Sequence, residues 1–166
     1  MNKIYRYRQN QCLVNLSNTL LARYGLEHEH AILPELLEIM KSYDKIVFLL
    51  FDGMGKSLLE DHLSETSFLR KHVMMEIDSV FPPTTVAATN AFLSGKYPKE
   101  TNWLGWSQYF KKENTFIDVF SNRETWTKEL LLKKNPMEEI GKYEDAFSQV
   151  TKAHPEIKVK MVWPAF

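Results

Sequence analysis

The sequence predicts an α/β fold built on a mostly parallel sheet, and three observations carry that prediction. Residues 45–52, Lys-Ile-Val-Phe-Leu-Leu-Phe-Asp, form a continuous apolar run rather than an alternating one, which is the pattern of a strand covered on both faces. Two further runs of strand length, 73–80 (VMMEIDSV) and 157–163, are bounded by prolines at Pro82-Pro83 and Pro155. Between the runs lie segments whose apolar residues recur at helical spacing. Strands alternating with helices pack as a sheet with helices on its faces, so the expectation is part of a three-layer αβα arrangement.

Each element has its own signal. Leu13, Leu16, Leu20 and Tyr24 recur at helical spacing and stop at Gly25, a residue suited to the left-handed position that ends a helix. Residues 27–31 read as a loop, and Pro34 opens a second helix with Leu36, Met40 and Tyr43 on one face. After the first apolar run, Asp52-Gly53-Met54-Gly55 breaks the chain and Lys56–Leu63 reads as a helix. The second run ends at Phe81-Pro82-Pro83, where Thr84-Thr85 opens a helix of small residues that runs through about Leu93 and closes at Gly95. From Lys96 to Trp126 no period is visible, and 106–135 reads as an irregular, insertion-like region. Asn135-Pro136 then starts a helix, with Glu138 and Glu139 at its positive end and Ile140, Tyr143, Phe147 and Val150 as its buried stripe. No repeat or linker divides the chain, so 1–166 reads as a single domain. Three strands are few for a parallel sheet, and the last is followed only by Pro164, Ala165 and Phe166. The expectation is therefore the N-terminal portion of a larger domain.

Composition narrows the function. The 166 residues carry 21 Lys+Arg against 21 Asp+Glu, which gives no broad electrostatic reason for a nucleic-acid or anionic-membrane partner. Cys12 is the single cysteine, which excludes an internal disulfide and a Cys-based zinc cluster. Residues 1–10 are polar and no apolar run has membrane-spanning length, so a cytoplasmic location is expected. The oligomeric state is left open.

Two residues stand where chemistry is done in open α/β sheets, at the carboxyl end of a strand. Asp52 closes the first apolar run, and the glycines after it, Gly53 first, let other groups approach; it reads as a metal ligand or as a simple turn and cap residue. Thr85 opens the small-residue helix, where free N–H groups and the helix dipole favour a phosphate; it reads as a nucleophile or as a helix cap. Lys56 belongs to no P-loop, since the Gly-x4-Gly-Lys pattern is absent. Trp103, Trp106, Tyr109 and Phe110 read as core or as a stacking surface, and the pairs Lys111-Lys112 and Lys133-Lys134 as solvated surface.

Phe48-Leu-Leu-Phe-Asp52-Gly53-Met-Gly together with Ser79-Val-Phe-Pro-Pro-Thr-Thr85-Val-Ala-Ala-Thr-Asn-Ala-Phe-Leu-Ser-Gly95-Lys-Tyr-Pro98 resembles the type I phosphodiesterase/nucleotide pyrophosphatase branch of the alkaline phosphatase superfamily. The resemblance spans roughly Val47 to Gly105. It implies an alkaline-phosphatase-like parallel sheet, a small phosphoester or nucleotide-like substrate, and two divalent metal ions, typically zinc, in the complete enzyme. Asp52 would be a metal ligand, and Thr85, ten residues before Gly95, the nucleophile and a second metal contact. The family's phosphoryl-binding Asn is replaced by Ala88, and the nearest amide is Asn90; Asn102 stands where many relatives have His. The remaining ligands the family uses have no counterpart among His28, His30, His62, His72 and His154. Residues 1–166 alone are therefore expected to bind no metal, and the alternative is a non-catalytic module that keeps the fold.

Overall fold

The computed structural model describes residues 6–130 and 135–162. Its centre is the small-residue helix. In chain order the elements are α1 (Leu13–Arg23), α2 (Pro34–Lys41), α3 (Lys56–His62), α4 (Phe68–Lys71), α5 (Thr85–Ser94), α6 (Pro98–Thr101), β1 (Ser107–Phe110), β2 (Thr115–Asp118), β3 (Arg123–Glu124), α7 (Met137–Ile140) and α8 (Ala146–Ala153). No helix among the described residues is long and apolar enough to cross a membrane.

Helix α5 can sit at the centre because Ala87 and Ala91 let neighbours approach closely. One cluster, Cys12, Val14, Val80, Ala87, Ala91 and Tyr97, joins it to α1. A second, Val86, Phe110, Ile117, Val119 and Met137, lays the sheet and α7 against its first turn. A third, Leu21, Ala146 and Val150, ties α1 to α8. Each fully buried Val, Ile or Met contributes about 1.5–3 kcal/mol.

Helix α1 ends where expected, with Gly25 at φ +70°, and Leu20 of the expected stripe is buried, but the stripe is only part of the buried face. Leu13 and Leu16 are only half-buried, whereas Asn15, Ser17, Asn18 and Thr19 are buried. These polar groups enter the interior because each is paired. Asn18 Nδ2 donates to Val14 O and to Gly95 O, both at 2.7 Å, and Asn18 Oδ1 accepts from His30 N at 3.2 Å. Ser17 donates to Phe92 O, and Thr19 Oγ1 accepts from Leu33 N at 2.8 Å. Polar side chains on one helix thus clamp the carbonyl end of another, which hydrophobic spacing alone does not reveal.

The expected parallel sheet is not formed among the described residues. Residues 45–51, 73–77 and 157–162 take no strand pairing, and the parallel contact present is an isolated bridge between Cys12 and Asp78. The reason is visible in the first run. Ile46 and Phe48 are half-buried, and the Phe48 ring meets Phe92 and Phe147 at 5.4 and 6.1 Å. Val47 and Leu49 remain 79% and 73% exposed. A run apolar on both sides is covered here on one side only.

The sheet lies instead in the stretch without sequence period. Strands β1, β2 and β3 form an antiparallel order β1-β2-β3, with Tyr109 opposite Phe116 and Gln108 opposite Ile117. Four-residue strands are too short to display alternation, and the turn before β2 depends on Asn114 at φ +52°. The helix expected from Asn135 is two helices. Trp103 Nε1 donates to Gly141 O at 2.8 Å, and a Cβ on Gly141 would lie 2.5 Å from that nitrogen. The chain therefore breaks at Gly141 and restarts at Asp145, whose carboxylate accepts from Ser148 N at 2.9 Å.

Candidate active site

Two consecutive threonines begin α5, and the structure gives them different work. Thr84 is the N-cap: its Oγ1 accepts from Ala87 N at 3.2 Å and donates to Leu104 O at 2.9 Å. Its proton and one of its lone pairs are taken. Thr85 is the first helical residue, exposed, and among the described residues its hydroxyl reaches only Asp52, at 3.2 Å to Oδ2 and 3.4 Å to Oδ1. The 10-residue helix leaves its first amides free. Ala87 N and Ala88 N go to the Thr84 side chain and carbonyl. The amides of Thr85 and Val86 have no acceptor among the described residues, so an anion placed beside the Thr85 hydroxyl meets two N–H groups and the positive end of the helix dipole.

Asp52 reaches this position by local geometry. Ile46 and Phe48 are the half-buried residues of the first apolar run, Leu50 is exposed, and the turn after Phe51 places the Asp52 carboxylate at the start of α5. Gly53 follows at φ +67°, a conformation that L side chains rarely adopt, and the turn leads into α3. Asp52 forms no ion pair among the described residues; its partner is Thr85.

Asn90 does not join the pair. It is buried one turn further along α5, its Nδ2 donates to Val86 O at 2.8 Å, and its Oδ1 accepts from the Tyr143 hydroxyl. Burial, with the Asp145 charge second, lifts the Tyr143 phenol above its ordinary range, so it stays a neutral donor. This Tyr143–Asn90 contact crosses 53 positions and had no signal in the sequence beyond the polarity of Asn90.

The five histidines also lie elsewhere. His28 and His30 are in the loop after α1, His62 ends α3, His72 caps α4 through Phe68 O, and His154 meets Tyr24 O. His30 belongs to a group with Glu29 and Glu100 whose ligand atoms lie within 4.8 Å of one another. That group sits at the far end of α5 from Thr85, beside Lys96 and Tyr97. Its carboxylates already have partners: Lys96 Nζ lies 2.6 Å from Glu29, and Glu100 accepts from Tyr97 N at 2.6 Å.

A family model described as type I phosphodiesterase / nucleotide pyrophosphatase matches residues 46–165, from the run that delivers Asp52 through α5 to the third apolar run. The chain belongs to this family. No curated protein and no solved structure matches it. The type I phosphodiesterase/nucleotide pyrophosphatase family consists of hydrolases of phosphoester and nucleotide substrates and is generally metal-dependent. The Asp52–Thr85 pair suits that dependence in part. A carboxylate without a counter-ion and a hydroxyl 3.2 Å away are hard oxygen donors of the kind divalent cations take. They supply two ligand residues, and no group of three His, Cys, Asp or Glu ligands among the described residues includes Asp52.

Proposed function

We propose that this chain carries the nucleophile side of a phosphodiesterase or phosphomonoesterase centre, with Thr85 as nucleophile and Asp52 as its orienting partner and metal ligand. The observation that supports this reading most is the division of labour between Thr84 and Thr85: the first hydroxyl is consumed by the helix cap, and the second faces Asp52 and solvent. In the proposed reaction Asp52 holds the Thr85 hydroxyl proton, which frees a lone pair of Oγ1 to face phosphorus. The Oγ1–phosphorus bond forms as the bond from phosphorus to the leaving oxygen breaks; Asp52 keeps the hydroxyl proton until Oγ1 is released again, and the leaving oxygen, opposite Oγ1, takes its proton from water. The N–H groups of Thr85 and Val86 donate to the phosphoryl oxygens on which negative charge develops. Water then cleaves the phosphothreonine, releasing phosphate or a monoester and restoring the hydroxyl. Divalent ions, zinc in this reading, would be held in part by Asp52 and Thr85 and would supply positive charge against the phosphoryl group.

The reading extends to the fold. The uncovered side of Val47 and Leu49 is where further strands and helices of an alkaline-phosphatase-like sheet would lie, and the ligands missing here would come with them. The rival reading, a binding module without chemistry, draws on the distance of the histidines from Asp52. The test is metal-dependent hydrolysis of methyl p-nitrophenyl phosphate by the protein as its gene encodes it, beside Asp52→Asn. Hydrolysis that requires zinc and falls more than about 10²-fold in the variant supports the enzyme. Zinc-independent turnover, or turnover indifferent to Asp52, refutes it.

A further inference from the structure

The surroundings of the Asp52–Thr85 pair carry a charge pattern that bears on what the site accepts. From Ser79 to Gly95, and again from Thr101 to Phe110, the sequence contains no Asp, Glu, Lys, Arg or His. These two uncharged stretches meet at the site, where Thr84 donates to Leu104 O at 2.9 Å. Three large apolar side chains on them stand in solvent: Phe81 at 75% exposure, Trp106 at 46% and Leu104 at 43%.

Their backbones are held in place. Leu104 N and Gly105 N both donate to Gln108 Oε1, at 2.8 and 3.3 Å, and Gln108 Nε2 returns a bond to Asn102 O at 3.1 Å. Trp106 O accepts from Val119 N at 2.9 Å, and its ring meets Phe120 edge-on at 5.7 Å. Phe81 stands between buried Val80 and Pro82-Pro83, whose rings restrict the chain. Apolar side chains displayed on a fixed backbone lose little entropy when a ligand covers them.

Resting on the catalytic reading of Thr85, we infer that the site takes phosphoesters whose organic group is uncharged and apolar, an aryl or alkyl ester, with Phe81, Leu104 and Trp106 covering that group. A nucleoside polyphosphate would place several negative charges against two stretches that carry no cation. Lys56, the nearest lysine in sequence to Asp52, is committed to Glu76 at 2.9 Å. A neutral ring or chain, in contrast, exchanges water for apolar contact with Phe81, Leu104 and Trp106.

The experiment titrates the zinc-loaded protein, as its gene encodes it, with phenylphosphonate and methylphosphonate in a calorimeter. It repeats both in Phe81→Ala, whose side chain is too exposed for the change to threaten folding, and in Leu104→Ala. The expected result is phenylphosphonate binding about tenfold tighter than methylphosphonate, with Phe81→Ala or Leu104→Ala bringing phenylphosphonate close to the methyl value. Equal affinity for the two ligands, or a preference unchanged in both variants, overturns the inference. If zinc-dependent hydrolysis of methyl p-nitrophenyl phosphate persists in that case, the catalytic reading stands alone. If neither phosphonate binds and no hydrolysis occurs, the catalytic reading fails and the inference with it.

Discussion

Replacing Thr84 and Thr85 one at a time by alanine should separate stability from chemistry, because adjacent hydroxyls have different partners. Thr84→Ala removes the cap on Ala87 N and the bond to Leu104 O, two interactions of a half-buried residue. Loss of a threonine cap costs about 0.5–2 kcal/mol, and a second hydrogen bond about 1 kcal/mol or less. For a chain of this length each kcal/mol lowers the melting temperature by roughly 2–4 °C, so a total of about 0.5–3 kcal/mol corresponds to a fall of roughly 1–12 °C. Hydrolysis should persist at temperatures where the variant is folded. Thr85→Ala removes an exposed hydroxyl whose partner is an exposed carboxylate, and stability should stay within about 0.5 kcal/mol of the parent. Its kcat/KM should fall by more than about 10³-fold, as for loss of a nucleophile. Differential scanning calorimetry and a p-nitrophenyl phosphoester assay on the same preparations read both effects. A Thr84→Ala variant that is stable but inactive, beside an active Thr85→Ala, refutes the assignment of the two threonines.

Three further outcomes follow from the packing. Asn18→Ala leaves the Gly95 carbonyl and His30 amide without their partner and should cost about 2–3 kcal/mol, read as a lower urea midpoint with unchanged slope. Gly141→Ala drives a methyl to 2.5 Å from Trp103 Nε1 and from the Met137 methyl, and should destabilise by about 1–3 kcal/mol in the same measurement. The pH dependence has a definite sign at Tyr143. Its phenol is raised by burial, so the stability it contributes is complete below its unfolded pKa of about 10 and is lost as pH rises beyond that. Urea midpoints measured from pH 8 to 11 should fall above about pH 10, and Tyr143→Phe should flatten that fall; an equal fall in both proteins removes Tyr143 as its cause.

Much of this molecule was readable from its residues. Local signals located α1, α2, α3 and α5 to within a residue or two, because Pro34, Gly25 and Gly95 act on the backbone where they stand. The Asp-Gly after an apolar run and the threonines before a small-residue helix marked both members of the candidate pair. What sequence could not decide was everything that depends on a distant partner. Four polar residues of α1 are buried because carbonyls and amides of α5 and the loop after α1 receive them, and no hydrophobic period encodes such a fit. The break at Gly141 follows from Trp103, which is 38 positions away. The apolar run at 45–51 specified a segment with two sides to cover, and whether a ladder forms there depends on strands that must pair with it. The choice between Thr84 and Thr85 is shared between the two levels. The ten-residue offset to Gly95 singles out Thr85 through the family resemblance, and the physical difference lies in the tertiary placement of Leu104 O beside one hydroxyl and the Asp52 carboxylate beside the other.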